Sequence, residues 1–316
     1  MPGPCPVRFR ALTPRRAPRP RRRSSTRRGG SRRGSARPPR RGPPRARTAR
    51  RRPPGPGFRP SPPSAPARTR PARRPAAHTA LLGAGPGADG DRLALLDAVE
   101  TDLRRVFTPG GSPRHPLLRA LTPAVRRHRL TPGPFLDLIA ANRRDQHVHR
   151  CPRYEDLLAY CELSANPVGR LVLAVTGTTS PERVRRSDAV CTALQITEHL
   201  QDVAEDLARG RVYLPAEDMK RFGVREDDLR RPTGDARVRA LVRHEADRAR
   251  ALLDEGAPLV GSVSGRLKLL LAGFVAGGRA ALAAIAAAGH DVLPGPPRPT
   301  RTALLRAAAA TLRREG

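Results

Sequence analysis

Residues 194–215 read LQITEHLQDVAEDLARGRVYLP. Projected at about 100° per residue, Ala193, Ile196, Leu200, Val203 and Leu207 form one apolar stripe, the mark of a helix with one face in a core. Gln195, Glu198, His199, Asp202 and Asp206 gather on another stripe, well away from it. Glu198, Asp202 and Asp206 stand one turn apart, and like charges at that spacing repel. Two readings are open. The stripe is a solvated face, or it faces a cavity where a cation compensates the acids. A hard divalent ion such as Mg²⁺ takes one or two protein carboxylates together with phosphate oxygens. Asp202 and Asp206, at i and i+4, supply that set. Glu205 falls elsewhere and is placed to pair with Arg209.

Helical periodicity continues on both sides. The segments 91–107, 131–145, 154–177, 187–210, 235–256 and 265–289 each carry it, while strand-like alternation is nearly absent. Pro167 inside 154–177 predicts a kink. Gly210, Gly256 and Gly289 stand where helix C-terminal caps belong. The fold class expected is all-α: a bundle of six or more helices over residues 89–293, then a Pro-rich break at 294–300 within a basic tail, 294–316.

The chain has 316 residues and a net charge of +33, unevenly distributed. No acid precedes Asp89, and residues 1–88 alone carry +25. That stretch is Arg- and Pro-rich with few apolar residues, too few to offset the entropy of ordering it, so it is expected to be disordered. Its Pro density argues against an amphipathic transit helix, and no continuous apolar run marks a secretory signal. Only two lysines occur in the chain, Lys220 and Lys268, which suggests a GC-rich coding sequence. Such DNA translated in a wrong frame gives this composition. An Arg-rich arm also binds nucleic acid or an anionic membrane surface by charge alone, but Phe9 and Phe58 are the only aromatics there to stack on bases, so nucleic acid is disfavoured as a partner. Four cysteines without metal or disulfide spacing fit a reduced, cytoplasmic interior. The longest apolar run, 269–278, is too short to span a bilayer, so no transmembrane helix is expected.

Asp202 and Asp206 followed by RGRVYLP resemble the second aspartate-rich motif of the squalene/phytoene synthase family, and YCELSANPVG (160–169) resembles that family's other signature. The two occur in the family's order, about 40 residues apart, and the similarity runs from about Asp91 to Pro299. The wording is most similar to the bacterial hopanoid-pathway branch, the hydroxysqualene (squalene) synthases. The resemblance implies an isoprenoid-synthase-type helical bundle around a central cavity, with acidic motifs holding Mg²⁺ against a prenyl diphosphate. Position by position it implies Asp202 and Asp206 as metal ligands and Gln195 as a residue reaching the diphosphate region. Arg211 and Tyr213 become contacts to diphosphate or the departing group, and Tyr160 the cavity tyrosine. Ser164, Ala165 and Gly169 become small residues leaving room for the isoprenoid chain. Glu198, where many relatives have Asn, is carried as a site-lining residue. Asp145 fits a family acid less closely, and no role is assigned to His147, His149 or His199.

The implied reaction converts presqualene diphosphate to hydroxysqualene. Its relatives are head-to-head condensation of farnesyl diphosphate to squalene, the one outcome that needs NADPH, and phytoene formation. Pathway enzymes are implied as partners, and water-insoluble products are compatible with peripheral contact at the inner face of the cell membrane. The family's first aspartate-rich motif belongs before DRLALLDAVE; here that place reads RRPAAHTALLGAGPGADG, without an acid until Asp89. If residues 1–88 are a wrong-frame translation, half of the metal site is lost, and the alternative is an inactive truncated relative. Two other classes compete: a nucleic-acid binder acting through residues 1–75, and a non-catalytic helical partner in a lipid-synthesis assembly.

Overall fold

The structure, a computed structural model, describes residues 89–315. The expectations for residues 1–88 lie outside them. The described residues form eleven α-helices: α1 (Asp89–Phe107), α2 (Pro116–His128), α3 (Gly133–Arg144), α4 (Tyr154–Ser164), α5 (Asn166–Val175), α6 (Pro181–Gln201), α7 (Val203–Ala208), α8 (Ala216–Arg221), α9 (Ala236–Gly256), α10 (Gly265–Ala287) and α11 (Arg301–Glu315). The all-α expectation holds.

Helix α6 is the axis. It starts at Ser180, whose hydroxyl accepts from the Arg183 N–H at 3.2 Å as an N-cap. It packs against α4, α5, α9 and α10. Its apolar stripe is buried, with Ala193, Ile196 and Leu200 at most 2% exposed. Helix α9 meets it with Val238, Val242, Ala246, Ala249 and Leu253, spaced three or four residues apart and fully buried. Each such Val or Leu is worth about 1.5–3 kcal/mol of burial, so this pair anchors the larger core. A smaller core lies at the other end, where Leu96, Leu103, Val125 and Ile139 of α1, α2 and α3 pack with Phe107 and Phe135.

Four local departures have physical causes. The kink expected at Pro167 is a joint between α4 and α5 at Ala165. The segment 187–210 divides at Asp202, yet Asp202 N still donates to Glu198 O at 3.0 Å and Asp206 N to Asp202 O at 2.8 Å, so the helix bends there without ending. Helix α2 was not expected because Pro123 interrupts its pattern, although Pro116 at its start is pre-organised for it. Residues 301–315 of the basic tail form α11 on α10, where Arg279 donates to Glu315 at 3.0 Å and to Asp254 at 2.9 Å.

Gly210 (φ +77°) does cap α7, but Gly256 (φ −80°) does not act as a left-handed cap. A Cβ at Gly256 would lie 2.6 Å from the Arg186 carbonyl, so this glycine lets α9 approach α6. The apolar run at 269–278 belongs to the 23-residue α10, which passes as a membrane span by length and composition alone. In this fold its Leu271, Ala272, Val275 and Ala276 are core residues.

Candidate active site

The polar stripe of α6 and α7 is not a solvated face. Gln195 and Asp206 are only 5% and 6% exposed, and Glu198, His199 and Asp202 are half-buried. The Gln195 side-chain nitrogen lies 3.1 Å from His199 Nε2, and His199 Nδ1 lies 3.7 Å from Asp206 Oδ2. An amide NH₂ only donates, so the geometry assigns His199 the tautomer with Nε2 accepting and its Nδ1–H turned toward Asp206. Asp206 Oδ1 is 3.9 Å from Arg209 Nη1. Both Asp206 contacts exceed hydrogen-bond length, which leaves carboxylate lone pairs available to a cation.

The next residues are brought in by the helix end. Gly210 N donates to Leu207 O and Arg211 N to Asp206 O, each at 2.9 Å, the paired bonds of a Schellman cap. The chain then runs beside 149–151, with Val212 N donating to His149 O at 3.0 Å. That pairing fixes Arg211, whose guanidinium is 2% exposed, against the end of α3. Arg211 Nη2 donates to the Asp145 backbone carbonyl at 2.8 Å, and Nη1 donates to the Tyr213 hydroxyl at 3.4 Å and lies 3.9 Å from the Asp145 carboxylate. The Tyr160 hydroxyl donates to Asp145 Oδ2 at 3.2 Å. The rings close the group: His199 stacks on Tyr213 at 3.8 Å, and Tyr160 lies 5.5 Å from Tyr213.

Burial dominates the electrostatics. It raises the Asp145 carboxyl above its ordinary value despite the opposing pull of Arg211 and Tyr160. It also pushes both phenols, Tyr160 and Tyr213, well up, so each stays protonated and able to donate. The cluster thus offers a fixed cation, two neutral hydroxyl donors, an imidazole and two buried acids. That set is suited to gripping a polyanion and sheltering a cation beside aromatic faces.

The structure brings together Gln195, Asp206, Arg211, Tyr213 and Tyr160 of the predicted residues, with Glu198 and Asp202 on the same stripe. Ser164 and Ala165 are fully buried at the α4–α5 joint, and Ser164 Oγ has no hydrogen-bond partner. Gly169 differs from expectation. A Cβ there would lie 2.3 Å from Ser187 Oγ and 2.7 Å from Cys191 Sγ, so the space it leaves is taken by α6. Two members were not carried forward as site residues. His199 had a legible signal, being four residues from Gln195 on the same stripe. Asp145 had only its loose fit to a family acid, because it meets Arg211 across 66 residues. An open groove of about 460 Å³ beside α2, lined by Arg119, Pro123 and Arg126 among others, includes none of these residues.

Comparison with known proteins bears on this arrangement. The squalene/phytoene synthase family profile matches residues 77–306. Over 183 residues the chain is 36% identical to a 15-cis-phytoene synthase of Synechococcus elongatus, covering 54% of this chain and 59% of that protein. Over 166 residues it is 37% identical to a hydroxysqualene synthase of Zymomonas mobilis, covering 52% of this chain and 54% of that protein. The chain therefore spans a little over half the length of these curated relatives. Among solved structures, squalene synthase HpnC from Alicyclobacillus acidocaldarius superposes with a TM-score of 0.62 at 47% identity, over 65% of this chain and 78% of that one. With the profile covering most of the chain and the two signatures meeting in one buried cluster, this chain belongs to the squalene/phytoene synthase family.

Proposed function

We propose that this chain acts on a C30 prenyl diphosphate, converting presqualene diphosphate and water to hydroxysqualene and diphosphate. The observation that carries this reading is the buried group in which Arg211, Tyr213 and Tyr160 stand together, beside the acids of α6 and α7. The 47% identity to a squalene synthase favours the squalene side, while curated relatives divide between phytoene and hydroxysqualene synthases.

The donor set fits Mg²⁺: Asp206 presents carboxylate oxygens not taken up by hydrogen bonds to His199 or Arg209, and Asp202 stands one turn before it. When bound, the ion would neutralise the diphosphate and make it a better leaving group. The chain's own residues do the rest. Arg211, held by the Asp145 carbonyl, aims its guanidinium at the diphosphate, and the Tyr213 hydroxyl donates beside it. As the carbon–oxygen bond breaks, its electron pair leaves with diphosphate. The Tyr160 and Tyr213 rings face the resulting cation until a water oxygen adds and releases a proton. His199, with Nδ1–H toward Asp206, orients that carboxylate. Gln195 fixes His199, and Ser164 and Ala165 leave room for the chain.

The test is incubation of the protein with presqualene diphosphate, farnesyl diphosphate or a longer prenyl diphosphate, each with and without NADPH, followed by product analysis. Hydroxysqualene from presqualene diphosphate without NADPH is expected. Squalene appearing only with NADPH, or phytoene from a longer diphosphate, assigns the neighbouring reaction instead. A second reading is favoured by the absence of an acid from 71–88. In it the chain binds the diphosphate and does not turn it over.

A further inference from the structure

A second group of metal-type ligands lies between α8 and α9: Asp218, His244 and Glu245, whose donor atoms all fall within 4.8 Å of one another. None of them belongs to the cluster described above. Glu245 is 1% exposed and Asp218 3%. Arg248 donates to Asp218 Oδ2 at 2.6 Å and to Glu245 Oε1 at 3.1 Å. It thereby holds one oxygen of each carboxylate and leaves the other free. Of the free atoms, Glu245 Oε2 is buried without a hydrogen-bond partner, and so is His244 Nε2. The neighbouring Asp218 carboxylate can satisfy Glu245 only when one of the two carries a proton, and burial, with Asp218 beside it, raises the Glu245 carboxyl to about 7. With both acids ionised, one guanidinium faces two carboxylates and the pocket carries a charge of −1, which is costly in a buried site.

We propose that Asp218, His244 and Glu245 bind one divalent transition-metal ion of the Zn²⁺ class, clasping α8 to α9. Ligand atoms around a tetrahedral zinc with bonds near 2.1 Å lie about 3.4 Å apart. His244 Nε2 and Asp218 Oδ1 are already 3.6 Å apart. One imidazole with two carboxylates suits a borderline ion better than Mg²⁺ or Ca²⁺, which prefer all-oxygen sets. Arg248 is the supporting residue that orients both carboxylates. Its guanidinium lies over the Tyr154 ring at 4.1 Å, and the Phe222 ring packs 5.4 Å from His244. His244 is 26% exposed at its side chain, which gives the ion a route from solvent.

The experiment takes the full chain, stripped with a chelator, and adds Zn²⁺ with bound metal measured by mass spectrometry and Co²⁺ as an optical reporter of the ligand set. One equivalent per chain, a Co²⁺ spectrum of a low-symmetry nitrogen–oxygen site and a rise in thermal midpoint on adding Zn²⁺ are expected. His244→Ala, at a partly exposed position, should abolish all three. Arg248→Lys should weaken the site roughly 10–100-fold, as changes to supporting residues do. The Asp202→Asn/Asp206→Asn variant should retain the site in full, which separates it from the proposed Mg²⁺ site. Uptake and midpoint shift unchanged in both His244→Ala and the near-isosteric Glu245→Gln overturn the proposal. So does a parent chain that takes up no more Zn²⁺ than His244→Ala.

Discussion

Replacing Arg211 by methionine separates its structural role from its proposed ligand role. Methionine follows the aliphatic stem of arginine but carries no charge and no donors. In the structure Arg211 donates to the Asp145 carbonyl and the Tyr213 hydroxyl, and faces the Asp145 carboxylate at 3.9 Å in a pair where both partners are buried. Removing one member of a buried ion pair typically costs about 3–5 kcal/mol, chiefly by stranding the other charge. Asp145 is already inclined to keep its proton through burial, so it protonates in the variant and the loss should sit near 3 kcal/mol. Adding Asp145→Asn removes the stranded acid, while an amide oxygen can still accept from Tyr160. That second change should recover about 1–3 kcal/mol, the coupling usual for residues in direct contact. Urea unfolding followed by circular dichroism measures both. Titration with a non-hydrolysable farnesyl diphosphate analogue measures the other role, and loss of one charge-assisted contact weakens binding about 10- to 150-fold. The double variant should regain stability and not affinity. A loss under about 1 kcal/mol for Arg211→Met, or affinity regained together with stability, refutes the assignment.

Gly169→Ala places a methyl 2.3 Å from Ser187 Oγ and should cost about 1–3 kcal/mol by overpacking α5 on α6. Adding Ser187→Gly should return part of that in a thermal melt, and no recovery would locate the strain elsewhere. Gly210→Ala meets open space, but at φ +77° the left-handed backbone should cost about 1–2 kcal/mol. Gly210→Asn should be milder, and equal stability of all three chains would show that the cap is dispensable. The Asp102 carboxylate is pushed up by burial, but the Arg114 and His115 N–H groups and Arg105 outweigh this and hold it below its ordinary value. A depressed folded value means its stabilisation is full above the unfolded value and fades as pH falls through the folded one. Asp102→Asn should therefore flatten the acid limb of a melting-temperature profile below about pH 4, and parallel profiles would contradict it.

Much of the helical layout was legible because burial on one face imposes period 3.6, and α9 and α10 appear nearly as read. Helix α2 was hidden by Pro123 and α11 by its basic composition, since charge pattern says little about which neighbour a helix meets. At the site, Asp202, Asp206, Arg211 and Tyr213 were legible because they are adjacent in sequence to a recognisable motif. Asp145 was legible only as a loose fit to a family acid: its place beside Arg211 is set by the Val212–His149 pairing, a tertiary contact without periodicity. The small residue Gly169 was read for the space it leaves, and only packing reveals that α6 occupies that space.

The central claim is that the acids of α6 and α7 hold magnesium against a diphosphate, and calorimetric titration of the farnesyl diphosphate analogue, with and without Mg²⁺, tests it most directly. The parent chain should bind far more tightly with Mg²⁺, and Asp202→Asn/Asp206→Asn should lose that enhancement while its circular dichroism stays unchanged. An equal Mg²⁺ enhancement in the folded double variant would contradict the account.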